Sequence, residues 1–525
     1  MQGTGAMGKY YSNTDVFNTQ QLLNWNKNFG NHSLTALLGH EYYQWKSDLL
    51  NYASAYSLVN DFTGFANFVS RYNSSGAPFG VPGGGGDLNA MESYFGRATY
   101  NYNEKYFLEG SLRRDGSSKF RYKEDRWGTF WSVGAGWRLI EENFMQNAGS
   151  WLNDLKLRAS YGVIGNQSGI SNYAGYQLWS YGANYSTVGN GTGIPISYTL
   201  SQGAVVNTAL TWENTHTFDA GIDFSLWNRR INGSIDYYNK NTVNSVFAQP
   251  IASSLGQNSL TLNSARIVNR GFELEMNIDV IRNKNVRWNI GLNGTHYRTI
   301  LMKIPPGVAS EALGGKFTAA IDGWGIASGG ASSAGQIMYL RGEGVDYYNL
   351  YLYKYAGVDQ TTGLPLFHHT VTQKDHEDDL FKDDAIGSIV NTTNYTLATR
   401  YPMGSAIPKW IGGFTTSFQY KNFDFMAILA YQIGGKFLSV EYANHLYRSG
   451  NIGNGLSAEL IGNTWTPDNN GAKFPMTFYG DTYYTGGSTH GSWQYSDMSL
   501  FSASYLNVKN LTLGYNFNAS IAGKI

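Results

Sequence analysis

From Thr217 to Leu226 the chain reads T-F-D-A-G-I-D-F-S-L, with Phe218, Ala220, Ile222, Phe224 and Leu226 apolar and the residues between them polar, acidic or glycine. Period two places alternate side chains on opposite faces of a strand. The alternation recurs in Phe17–Phe29, His32–Lys46, Met91–Tyr102, Tyr106–Asp115, Trp127–Ile140, Leu152–Ile164 and Thr211–Trp227. It continues in Ile231–Val246, Arg266–Val280, Val286–Leu301, Ile411–Tyr420, Phe423–Leu438 and Tyr505–Phe517. Helical periodicity is almost absent. The pattern predicts an all-β fold: one large antiparallel sheet with an apolar face and a wet face, the wall of a transmembrane β-barrel.

The connections support that reading. Tight turns are expected at Gly30-Asn31, Asn103-Glu104-Lys105, Asn228-Arg229-Arg230, Asn283-Lys284-Asn285 and Lys421-Asn422, with a short link from Asn143 to Ser150. Long inserts follow Lys46, Ile164, Leu301 and Leu438, the largest spanning 302–410. Outer-membrane barrels have short periplasmic turns and long extracellular loops. A soluble sandwich has no reason to gather its long loops at one end. Residues 1–525 therefore form a single barrel region.

Alternation also assigns faces. Leu155, Leu157, Ala159, Tyr161 and Val163 should face lipid, with Lys156, Arg158 and Ser160 inside. Phe272, Leu274, Met276, Ile278 and Val280 should face outward, leaving Glu273, Glu275, Asn277 and Asp279 inside. Carboxylates on one strand are costly in lipid or in a dry core. A water-filled interior would keep them solvated or pair them with inward Arg97, Arg113 or Arg158. These charges either order the wall or touch a passing substrate, and they are the substrate-pathway candidates. Loop aromatics Trp324, Tyr347, Tyr348, Tyr351 and Tyr353 either stack on sugar rings or pack the loop core or a lid protein, with Trp324 and Tyr351 the chosen candidates.

Composition narrows the class. Tyr 39, Phe 27 and Trp 14 make the chain 15% aromatic, a surplus that girdles at two membrane interfaces would use. The 38 basic and 38 acidic residues cancel, which argues against a nucleic-acid partner. Mean hydropathy is −0.34, because a barrel conceals its apolar residues in alternation. With Cys 0 there are no disulfides, thiol catalysis or thiolate metal sites. There is no run of apolar residues long enough for a transmembrane helix, and Met1–Tyr10 does not read as a signal peptide.

Chemical motifs are few. His368-His369 with Asp375-His376-Glu377-Asp378-Asp379 has metal-ligating residue types, but a solvated loop tip is the preferred reading, and no metal or other cofactor is expected. Asp359–Gly363 lacks the spacing and closing Glu of a calcium loop and reads as a turn. Gly83–Gly86, Gly329-Gly330 and Gly434-Gly435-Lys436-Phe437 fit no phosphate-binding motif, and no G-x-S-x-G is present. An enzyme is not expected.

Longer runs carry a family likeness. Ser93–Phe120 (SYFGRATYNYNEKYFLEGSLRRDGSSKF), Trp131–Arg138 (WSVGAGWR), Leu155–Asn166 (LKLRASYGVIGN) and Asn269–Glu273 (NRGFE) resemble SusC/RagA-type TonB-dependent transporters. So do Tyr355–Phe367 (YAGVDQTTGLPLF), Pro408–Phe414 (PKWIGGF) and Ala503–Tyr515 (ASYLNVKNLTLGY). The resemblance implies a Bacteroidota-like importer of glycans or peptides in the cell outer membrane. It implies a barrel of 22 strands, an N-terminal plug that contacts TonB, and a SusD-like lipoprotein lid. This chain shows neither plug nor TonB-contacting segment, and it ends without an aromatic-terminated final strand. It is expected to supply about 13 of 22 strands and not to be a working pore alone. Two other readings stay open: a passive porin-like channel, and a surface-binding barrel without transport.

Overall fold

A computed structural model describes residues 6–57, 68–70, 83–181, 200–202, 206–251, 259–305, 317–321, 338–446, 455–476 and 493–517. Thirteen strands pair in chain order: β1 Ala6–Phe29, β2 His32–Ser57, β3 Gly83–Tyr102, β4 Tyr106–Ser117, β5 Trp127–Arg138, β6 Leu152–Asn166 and β7 Glu213–Leu226, then β8 Ile231–Pro250, β9 Ser259–Arg282, β10 Val286–Lys303, β11 Trp410–Tyr420, β12 Phe423–Ile433 and β13 Tyr505–Tyr515. The short strand Phe68–Ser70 joins β2 off this path. Each expected segment contains one wall strand. No helix among the described residues is long and apolar enough to cross a membrane. The chain divides into two compact units, the first made of Met1–Trp137, Ser160–Thr217 and Thr242–Ser264, the second of Arg138–Ala159, Phe218–Asn241 and Ala265–Ile525.

In the first unit, tight turns set the register. Phe29 lies opposite His32 across Gly30-Asn31, and Gly30 takes the left-handed φ of 58° that such a turn requires. Asn103 and Glu104 are left-handed as well, and the Lys105 N–H donates to the Tyr102 carbonyl at 2.9 Å. On one face Leu38, Leu108, Leu112, Trp131 and Val133 are exposed, far more apolar surface than a water-facing sheet carries. At the tight-turn end of that face Phe29 stacks on His32, His32 meets Tyr102, and Tyr102 stacks on Tyr106. Toward the other end Phe17 meets Tyr42, His40 meets Tyr94, and Tyr94 meets Trp127. His32 and Tyr42 are about 33 Å apart along β2 at the usual strand rise. A tilt of about 40° reduces this to about 25 Å, the height of an outer-membrane apolar band between aromatic girdles.

The second unit repeats the division. Phe272, Phe423 and Phe425 are exposed on the face that Leu506, Leu511 and Leu513 of the edge strand β13 share. Trp227, Asn228 and Arg229 turn left-handed between β7 and β8, while the Asn283 carboxamide accepts from the Asn285 and Val286 N–H groups before β10. One expectation fails here. Phe423–Leu438 is not a single strand, because Gly434 and Gly435 have φ of 78° and 76° and end β12 at Ile433. Lys436–Leu438 instead forms a separate ribbon with Leu500–Ser502.

The largest insert is structured. Phe317–Ile321, Met338–Gly342, Asn349–Tyr353 and Arg400–Ser405 form one small sheet; Tyr355–Val358, Pro365–Thr370 and Ile389–Thr392 form another. Phe367, Tyr395, Leu446, Leu460, Phe474 and Trp493 close a core contributed by this insert and by the segment after β12.

Candidate functional site on the polar face

Register brings polar groups from four strands into one row in the first unit. Gln20 pairs with Glu41, Glu41 with Ser93, and Ser93 with Asp115. Arg113, two residues along β4 and therefore on the same face, ties the row together. Its guanidinium donates to Asp115 at 2.6 Å, to the Ser93 hydroxyl at 2.8 Å and to Glu41 at 3.1 Å. Gln20 donates to the other Glu41 oxygen at 2.9 Å. Arg113 also lies 5.0 Å from the Phe95 ring centre, and Phe95 occupies the space that a side chain at Gly39 would need.

Beside this row is a cavity of about 480 Å³ lined by Ser111, Arg113, Asp115, Phe130, Ser132 and Thr217, among others. The Ser111 and Ser132 hydroxyls are 2.6 Å apart. Phe130 is held between Gly128 and Gly165 and belongs to a buried cluster with Phe120, Ile170, Leu210 and Trp212. The Trp212 indole N–H donates to the Arg126 carbonyl at 3.1 Å. Charged and hydroxyl donors next to an aromatic plate suit a polar solute bearing both hydrogen-bonding groups and apolar faces.

In the second unit Arg158 bridges strands. It reaches Asp223 at 3.0 Å and Asp236 at 2.7 Å, and the glycine at 221 leaves the space these side chains share. Asp279 accepts from Asn289 at 3.1 Å and meets Arg282 at 3.3 Å. Glu273 and Glu275 are exposed, with no ion pair among the described residues. Arg97 pairs with Glu109 at 2.9 Å. Of the two outcomes expected for the β9 carboxylates, Glu273 and Glu275 follow solvation, and pairing with Arg97, Arg113 or Arg158 is not seen among the described residues. Each arginine takes a carboxylate from its own or a nearby strand, where side chains on one face are within reach. Glu41, Asp115, Asp223, Asp236 and Phe130 were absent from the sequence-derived candidates.

Among the loop aromatics, Tyr351 is buried at 9% exposure on Asn349–Tyr353. Tyr353 packs on Phe367 and Tyr395 beneath Arg400, whose guanidinium lies 4.3 Å from the ring centre. Trp324 and Gly329-Gly330 lie outside the described residues.

The histidine and acidic cluster is a solvated tip only in part, since Glu377, Asp378 and Asp379 are exposed. His369 and Asp375 are buried and meet at 3.1 Å, and Thr372 caps the helix Gln373–Glu377 through reciprocal bonds with Asp375. Burial alone would raise the Asp375 carboxyl; the Thr372 hydroxyl and N–H, then His369, outweigh it and hold it below its ordinary value. Tyr442, in the segment after β12, is pushed up to about 12 by burial and by its bond to Glu459 at 2.7 Å. No group of three or more His, Asp or Glu side chains among the described residues is arranged to hold a metal ion.

An antiparallel wall with an aromatic-bordered apolar face and a charged, hydrogen-bonded opposite face defines an outer-membrane-type β-barrel. The chain belongs to the TonB dependent receptor-like, beta-barrel family, which matches residues 2–524. It is 28% identical over 531 residues to TonB-dependent receptor P3 of Formosa agariphila, covering 100% of this chain and 48% of that relative. It is likewise 28% identical over 433 residues to TonB-dependent receptor SusC of Bacteroides thetaiotaomicron, covering 82% of this chain and 38% of SusC. The RagAB peptide transporter structure matches with a TM-score of 0.72 at 23% identity, over 98% of this chain and 50% of that one, a likeness of fold. The chain spans about half the length of the Formosa relative. The family is one of outer-membrane β-barrel receptors, which puts this wall in the outer membrane.

Proposed function

We propose that this chain forms barrel wall in a TonB-dependent importer of glycans or peptides, with its polar face lining the solute path and residues 302–410 on the extracellular side. The observation that carries the reading is the family match along the whole wall, on a chain whose polar face is crossed by the Arg113 row. The peptide class is supported by the likeness to the RagAB peptide transporter, and the glycan class by the resemblance to SusC/RagA-type transporters. A SusD-like lipoprotein lid and TonB are the proposed partners.

The wall contributes recognition and passage, with no bond chemistry. Arg113 and Arg158 present guanidinium groups already oriented by carboxylates, so a solute's hydroxyl, amide or carboxylate exchanges water for fixed donors. Arg97, exposed Glu273 and Glu275, and Asp279 add further contacts, while Tyr351 and Trp324 act from the insert. The measurement is solute uptake by cells carrying the complete receptor, with and without TonB. Uptake dependent on TonB, and reduced several-fold by Arg113→Met or Arg158→Met with folded receptor at normal abundance, supports the proposal. Ungated flux favours the porin-like reading, and binding without flux favours the surface-binding one.

A further inference from the structure

A second site lies at the long-insert end of the wall, in the second unit. A cleft of about 650 Å³ is lined in part by His296, Arg298, Lys409, Lys436, Leu500 and Phe501. Register places His296 opposite Phe272 and Arg298 opposite Arg270. Phe272 is one of the exposed apolar residues, so His296, Arg298 and Arg270 are on the lipid-facing side, toward the long-insert end of β9 and β10. The His296 ring lies 5.2 Å from Trp410, an aromatic pair at membrane-interface level. His296, Arg298 and Trp410 therefore give the cleft a rim on the membrane side.

Its charge is unbalanced. Arg298 is matched by Asp346 at 3.1 Å, while Lys436 spends one N–H on the Met403 carbonyl at 2.8 Å. Lys409 and Arg270 are exposed and meet no carboxylate among the described residues. Arg270 stands directly across from Arg298, and like charges in that relation are destabilising. Asp346 relieves that repulsion on the Arg298 side, which leaves Arg270, Lys409 and Lys436 as the cations of the cleft without a carboxylate partner among the described residues. Ile407, Pro408, Leu500 and Phe501 supply an apolar wall, with Ser405 and Ser502 beside it.

We propose that this cleft binds the phosphorylated headgroup of an outer-leaflet lipid. Arg270, Arg298, Lys409 and Lys436 share the phosphate oxygens, and the apolar wall takes the first part of the acyl region. An anionic lipid satisfies all three features at once: a surplus of cations, an aromatic border and apolar walls at the edge of the bilayer. The inference does not depend on which solute the wall conducts.

The test uses the complete receptor, purified in detergent and exchanged into mixed micelles containing monophosphoryl lipid A or its phosphatase-treated form. The expected result is at least fivefold tighter binding of the phosphorylated lipid, and loss of that preference in the triple variant Arg270→Gln, Lys409→Gln, Lys436→Gln. Lys27→Gln, a change on the apolar face near the tight-turn end in the first unit, should leave the preference intact. Heat-modifiability on gels verifies folding, and because each site is exposed, the single variants provide a second series if the triple one fails to fold. Equal binding of the two lipids, an unchanged preference in the variants, or inorganic phosphate competing at the same concentration as the lipid overturns the proposal.

Discussion

Replacing Arg113 with methionine removes the cation that holds the polar row and leaves Glu41, Asp115 and Ser93 in place. Glu41 and Asp115 side chains are 15% and 11% exposed, and Arg113 is 35% exposed. An exposed ion pair is worth about 0.2–1 kcal/mol, whereas stripping one partner from a buried pair costs about 3–5 kcal/mol. Partly screened carboxylates with a cation one-third in water lie between these limits, so Arg113→Met should destabilise the receptor by about 2 kcal/mol. Glu41→Gln keeps the side-chain volume and removes one of the two charges that the variant strands. The double variant should therefore be less destabilised than the sum of the singles, with a coupling of about 1 kcal/mol. Urea unfolding of the receptor in lipid micelles, followed by tryptophan fluorescence, gives all four free energies. A coupling below about 0.3 kcal/mol, the usual scatter of independent sites, would refute the idea that these groups act as one network.

Further outcomes follow from other contacts. Gly221→Ala should destabilise the wall by about 1–3 kcal/mol, since the added methyl would occupy space held by Asp236 and Arg158. Gly110→Ala, whose methyl meets nothing nearer than 4.0 Å, should be neutral or slightly stabilising in the same unfolding assay. The Asp375 carboxyl lies below its ordinary value of 3.8 in the folded insert. Its contribution is thus fully present above that value and is lost as pH falls through the lower folded one. Limited proteolysis of the insert should accelerate below about pH 4, and Asp375→Asn should abolish that step while costing stability at neutral pH. Phe130→Ala should cost about 3–5 kcal/mol, because the ring is buried between two glycines that cannot close the gap.

The wall was legible because one face of every strand must be apolar, so a period of two survives in the sequence wherever the backbone is extended. The tight turns were legible too, since Gly30 and Asn103 are residue types that accept left-handed backbone. Together they fix register. Counted from the Gly30-Asn31 turn, Gln20 falls opposite Glu41, and counted from the Asn103–Lys105 turn, Ser93 falls opposite Asp115. The step from Glu41 to Ser93 crosses the long insert between β2 and β3, and no turn fixes it. The Ser93–Arg113–Asp115 half of the row could thus have been found by arithmetic, whereas its link to Glu41 depends on how β3 docks on β2 after the insert. The break at Gly434-Gly435 was less visible, because Lys436-Phe437-Leu438 continues an acceptable strand composition. The insert core was not legible at all. Phe367 and Trp493 are far apart in the chain, and their meeting depends on tertiary packing with no local period.

The central claim is that one side of this sheet faces hydrocarbon and the other faces water, and the chain's lack of cysteine offers a clean way to test it. Single cysteines would be placed at each residue from Phe272 to Val280 in the complete receptor, embedded in vesicles and free of other thiols. Each would be treated with a water-soluble maleimide and with a lipid-partitioned one. The account predicts strict alternation, with the aqueous reagent labelling positions 273, 275, 277 and 279 and the lipid reagent labelling 272, 274, 276, 278 and 280. Uniform labelling along the strand, or the opposite phase, would contradict it.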